Sequence, residues 1–88
     1  MTAKEEIKSY LCAEILKGFD ENTIGDDKPL IQEGLIDSIG IMKLITFLTE
    51  KFKVEFRDED FNMDNFETLN NISSLVTQKV NFEINTRV

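Results

Sequence analysis

Histidine and tryptophan are absent from the 88 residues, and cysteine and proline occur once each. Without histidine, and with Cys12 as the only thiol, most zinc ligand sets and every Ser-His or Cys-His nucleophile pair are excluded. A lone cysteine closes no intrachain disulfide, so the chain does not rely on oxidative stapling and suits a reducing, cytoplasmic setting. Glycine is scarce at four residues, and no glycine-rich phosphate loop of the Walker or dinucleotide type is present. Self-contained catalysis is therefore not expected, and any chemistry is carried by an attached group or by a partner. No apolar run approaches the roughly 20 residues of a membrane span. The opening Met1-Thr2-Ala3-Lys4-Glu5-Glu6 lacks the cationic and apolar blocks of a signal peptide.

Positive charge is also in short supply. Ten bases against 17 acids leave a formal net charge of −7. Nucleic-acid affinity comes mostly from phosphate neutralisation by Lys and Arg, so nucleic acid is an unsuitable partner, as is an anionic membrane surface. Basic protein surfaces are the favoured partners. Apolar residues at 41% suffice for one small core, which predicts a single, monomeric domain over residues 1–88. Seven Phe suggest that rings supply much of the buried area.

The pattern along the chain is helical throughout. Ile7, Tyr10, Leu11, Ile15 and Phe19 recur at three and four residues and predict a helix from Ala3 to about Phe19, ended near Gly18. Residues 20–36 hold Gly25, Gly34 and Pro29 and read as a long loop. Ile24, Leu30, Ile31, Leu35 and Ile36 imply that this loop lies against the core, and structureless loops of such length are usually functional. A second helix opens at Asp37 or Ser38 and runs to about Phe52, with Ile41, Leu44, Ile45, Leu48 and Phe52 on one face and Ile39, Met42 and Thr46 away from it. Arg57 to Asn62 reads as a short acidic turn holding Phe61. Thr68 is the expected N-cap of a last helix striped by Leu69, Ile72, Val76 and Val80, with residues 81–88 fraying. The expected class is all-α: a small four-helix bundle with three main helices, a short third helix and a long first loop.

One segment combines features that chemistry can use: Gly34-Leu35-Ile36-Asp37-Ser38-Ile39-Gly40-Ile41. It sets a hydroxyl at a helix N-terminus, where unsatisfied backbone N–H groups and the positive dipole end favour an attached phosphate. Asp37 either supports a partner's divalent metal or simply caps the helix, the ordinary role of Asp and Ser there. Ile39 and Met42 give this point an apolar rim for docking.

These residues carry a resemblance. Gly34-Leu35-Ile36-Asp37-Ser38-Ile39, followed by the amphipathic helix to Phe52 and by Val54, resembles the phosphopantetheine attachment segment of acyl carrier proteins, whose Asp-Ser-Leu is here Asp37-Ser38-Ile39. Asp58-Glu59-Asp60-Phe61 resembles the family's acidic short third helix, and Thr68-Leu69 and beyond its fourth. The resemblance implies that Ser38 accepts 4'-phosphopantetheine from coenzyme A through a separate phosphopantetheinyl transferase, with Asp37 supporting. The arm's thiol then holds an acyl or aminoacyl group as a thioester for loading and transferring enzymes. The stripe of the second helix with Ile7, Leu11, Phe61, Leu69 and Ile72 is the expected lining of an acyl-chain space.

The second helix departs from the acidic pattern common in carriers of bacterial fatty-acid synthesis. Asp37 and Glu50 are balanced by Lys43 and Lys51, and the acids cluster instead at Asp20–Asp27 and Asp58–Glu67. Charge pattern governs partner choice and encounter rate. A specialised pathway is therefore expected, one of polyketide, nonribosomal peptide, lipid-modification or D-alanine type, with Lys43 at the partner surface. The alternative is an unmodified helical interaction module. A calcium loop at Asp58, Asp60, Asn62 and Asp64 is excluded, since Met63 stands where the sharp turn needs Gly and Leu69 where the bidentate Glu belongs.

Overall fold

Thr2 starts the first helix by presenting its hydroxyl to the Glu5 backbone N–H at 3.2 Å, and Glu5 and Glu6 lie in the first turn, where the dipole favours acids. The computed structural model describes residues 2–16, 18 and 24–86, the last five of these by their backbone alone. Among the described residues four α-helices follow in chain order: α1, Ala3–Tyr10; α2, Ser38–Phe52; α3, Met63–Glu67; and α4, Leu69–Thr86. Among the described residues there is no strand. The chain folds as a small all-helical bundle, as its periodicity requires.

The α-helical geometry stops at Tyr10 and gives way to a π-helical turn over Leu11–Ile15. Its closing bond runs from the Leu16 N–H to the Leu11 carbonyl at 2.6 Å, five residues back. The sequence explains the wider turn. Leu11 and Leu16 are five apart and both are buried, while Ile15, the α-helical successor of Leu11, stays half-buried. The helix expected to reach Phe19 thus ends at Ile15, with Leu16 as its C-cap. Gly18 follows in left-handed geometry at φ 94°, and Phe19 lies outside the described residues.

The loop before α2 lies down on the bundle as expected. Ile24, Leu30 and Ile36 are buried, and Ile31 and Leu35 pack against them. Residues 29–35 form a compact turn closed by Leu35 N–H to Leu30 C=O at 2.9 Å, with Gly34 at φ 73°. The loop is fastened to the α3–α4 junction. Leu30 N–H donates to the Glu67 carbonyl (2.7 Å), Gln32 N–H to the Glu67 carboxylate (3.1 Å), and Asn70 Nδ2 to Asp27 (2.7 Å).

The short turn expected over Arg57–Asn62 is present as a single 3-10 turn at Asp58–Asp60, and the short third helix, Met63–Glu67, begins directly after that stretch. Asn62 sets its start by accepting from the Asn65 N–H at 3.0 Å, which turns Phe66 into the core and leaves Phe61 49% exposed. Thr68 caps α4 through Asn71 N–H (3.0 Å), as its sequence predicts. The helix then runs to Thr86, and residues 87–88 of the tail expected to fray lie outside the described residues.

The core is aliphatic rather than aromatic. Ile7, Leu11, Leu16, Ile24, Leu30, Ile36, Leu44, Leu48, Leu69, Ile72 and Val76 surround Phe66, the one phenylalanine fully buried among the described residues. Of the rings expected to supply much of the buried area, Phe47, Phe52 and Phe56 pack at the core's edge.

Candidate functional site

Asp37 is extended, at φ −113° and ψ −174°, and its Oδ1 accepts from the Gly40 backbone N–H at 2.8 Å. The carboxylate thereby takes the capping role, and Ser38 becomes the first helical residue rather than the cap. Ser38 is exposed, and its hydroxyl forms no hydrogen bond among the described residues. The backbone N–H groups of Ser38 and Ile39 likewise have no acceptor among the described residues, whereas Gly40 donates to Asp37 Oδ1 and Ile41 to the Asp37 carbonyl. Two spare donors and the positive dipole end face outward beside a free hydroxyl. A phosphate esterified there fits without displacing any existing bond.

Ile39 and Met42 flank this point and are 68% and 65% exposed, as the helical wheel requires. Lys43 is exposed one position further on, and among the described residues it sits in no ion pair. Lys51 differs: its ammonium lies 3.5 Å from Glu6 of α1. Tyr10 ties the two elements together. Its hydroxyl donates to the Lys43 carbonyl at 3.2 Å, and its ring stacks on Phe47 with centroids 4.0 Å apart. Burial, followed by the nearby carboxylates of Glu14 and Glu50, pushes the Tyr10 phenol above its ordinary value.

Gly40 is a positioning residue that sequence reasoning passed over. A Cβ on it would lie 2.9 Å from Ile36 Cγ1 and 3.2 Å from Ile15 Cγ2. The absent side chain lets the π-helical turn close on the first turn of α2. A shallow groove of about 200 Å³ remains beside the contact, lined by Glu14, Ile15, Asp37, Ile39, Gly40 and Lys43. The legible signal was a glycine two residues into a helix, where it is costly without a packing reason.

The expected acyl-chain lining is only partly brought together. Ile7, Leu11, Leu69 and Ile72 meet in the core with no exposed surface, and Phe61 is turned outward by the Asn62 cap. Away from Ser38, Asp60 and Lys79 form a 2.6 Å ion pair, with their side chains only 14% and 16% exposed. Burial alone would raise the Asp60 carboxyl, but the Arg57 N–H and the Lys79 ammonium outweigh it and hold the group below its ordinary value. This pairing fixes Asp60 within the fold, and among the described residues no three His, Cys, Asp or Glu side chains converge as a metal site.

Among the described residues no helix is long and apolar enough to cross a membrane. No curated protein matches the chain. A family model does: the phosphopantetheine attachment site matches residues 6–76, which takes in α1, the long loop, Asp37-Ser38-Ile39 and most of α4. Members of this family carry covalent 4'-phosphopantetheine, are generally non-catalytic carriers, and work with a phosphopantetheinyl transferase and biosynthetic enzymes. On this match over most of its length, the chain belongs to the phosphopantetheine attachment site family and is a phosphopantetheine-bearing carrier protein.

Proposed function

We propose that Ser38 is the attachment residue and that the protein carries acyl or aminoacyl groups without catalysing their transfer. The observation that supports this best is the uncommitted, exposed Ser38 hydroxyl beside two spare backbone N–H donors at the start of α2. The arm supplies a thiol that holds the cargo as a thioester. The chain's own residues give the rest: Asp37 fixes the first turn through Gly40, and Ile39 and Met42 offer partners an apolar rim. Lys43, in no ion pair among the described residues, stands beside that rim and removes the negative charge that basic docking patches read.

The neutral second helix favours a specialised pathway over bulk fatty-acid synthesis. A single monomeric domain in the cytoplasm accords with the one aliphatic core, the lone Cys12 and the acidic surface. Incubating purified protein with coenzyme A and a broad-specificity transferase tests the attachment site. Intact mass should show one phosphopantetheine on the wild type and none on Ser38→Ala. An adduct surviving in that variant would assign the arm elsewhere.

A further inference from the structure

The groove between the π-helical turn and α2 has features that attachment at Ser38 alone does not require. Its two walls come from elements distant in sequence, Glu14 and Ile15 on one side and Asp37, Ile39, Gly40 and Lys43 on the other. Both neighbours of Ser38 line it, so it begins where a group on that serine must begin. Glu14 and Lys43 both line it and carry opposite charges. They form no ion pair with each other, nor with any other described residue, so the groove stays open and both heads remain available. Ile15 and Ile39 add apolar surface to the same lining.

That lining offers the three kinds of contact that the proximal half of phosphopantetheine can use: a cation for its anionic phosphodiester, apolar surface for the carbon bearing two methyl groups, and an acceptor for the neighbouring hydroxyl and amide. We infer that this groove seats the proximal arm, with Lys43 facing the phosphodiester, Ile15 and Ile39 taking the paired methyls, and Glu14 accepting from the amide or hydroxyl. The inference rests on Ser38 as the attachment point. The lysine stem favours this arrangement, because side chains on a helix lean toward its N-terminus and so carry the Lys43 ammonium back toward Ser38.

High affinity is not needed. A short flexible tether holds its end at an effective concentration in the millimolar range, so a subsite with an intrinsic Kd of about 1 mM is filled roughly half of the time. Partial occupancy suits a carrier, since the arm must leave the groove to enter each enzyme. The π-helical turn has a role in this scheme. By placing Leu16 rather than Ile15 in the core, it leaves Ile15 half-buried at the groove wall, where a regular α-turn would bury it.

The test compares apo and holo forms by two-dimensional NMR, with intact mass establishing one arm per chain in the holo sample. Attachment alone shifts the amides of residues 37–40. The groove also predicts holo-dependent shifts at Glu14 and Ile15, on the other element, and cross-relaxation between the arm's paired methyls and the methyls of Ile15 and Ile39. In the variant Glu14→Gln, Lys43→Gln the apo–holo differences at 14 and 15 should fall by at least half while the adduct mass is unchanged. Shifts confined to residues 37–40 in a fully loaded wild type overturn the groove assignment and leave Ser38 standing. Undiminished shifts at 14 and 15 in the double variant overturn the part given to the two charges. Absence of any adduct at Ser38 overturns the functional reading and the groove with it.

Discussion

Asp37 has two candidate roles, helix cap and chemical support for modification, and two substitutions separate them. Asp37→Ala removes the acceptor of the 2.8 Å bond from Gly40 N–H, leaving that donor in a part-buried position. Loss of an N-cap to alanine costs about 1 kcal/mol. In a domain of this size each kcal/mol lowers Tm by about 4–8 °C. Asparagine caps nearly as well as aspartate, so Asp37→Asn should lose only the charge–dipole part, about 0.5 kcal/mol. Thermal unfolding followed by circular dichroism should therefore rank wild type and Asn close together and Ala clearly below. The rate of arm attachment, followed by intact mass over time, should rank differently. If the carboxylate supports transfer through a metal held by the transferase, both variants should slow by roughly tenfold or more. Equal destabilisation by Asn and Ala would refute the cap, and a wild-type attachment rate in Asp37→Asn would refute the supporting charge.

Gly40→Ala sets about 1 kcal/mol of helix propensity against overpacking of about 1–3 kcal/mol where the new methyl meets buried Ile36 at 2.9 Å. A net loss near 1 kcal/mol is expected in thermal melts, and a variant more stable than wild type would contradict the close packing. Lys43→Glu should leave stability within about 0.5 kcal/mol and raise loading by fatty-acid-synthesis enzymes with basic docking patches, most at low salt. Equal loading rates would refute the charge argument. Lys51 is unsuited to this test because its pair with Glu6 bridges α1 and α2. Lys79→Met removes a charge-assisted bond to Asp60 and should cost about 2 kcal/mol at neutral pH. The folded-state Asp60 carboxyl lies below its ordinary value, so its stabilisation is complete above that value, roughly pH 4, and is lost as pH falls through the folded one. The Tm gap between wild type and Lys79→Met should accordingly narrow between pH 5 and pH 2, and a constant gap would contradict this.

Amphipathic stripes and caps were the legible part of the sequence. Leu44 and Leu48 faced the core, Ile39 and Met42 faced solvent, and Thr68 capped α4 because each is decided within one or two turns of helix. The loop's apolar residues likewise announced that it would lie on the bundle. What the sequence concealed depended on partners far along the chain. The π-helical turn exists because Leu16 reaches the core in place of Ile15, a choice set by α2 packing at Gly40. The helix Met63–Glu67 follows the acidic turn because Asn62 caps it, and Phe61 just before the cap is left exposed. At the site, Asp37-Ser38-Ile39 could be read directly, while the groove wall from Glu14 and Ile15 could not, since 22 or more residues separate it from Ser38.

Ser38 should bear the arm in the cell. Protein purified from its own cells, measured by intact mass and then fragmented between residues 37 and 39, tests it directly. A phosphopantetheine adduct, free or acylated, is expected on the fragment containing Ser38 and on no other. An unmodified chain under conditions where the cell's other carriers are loaded, or an adduct on a different residue, would contradict it.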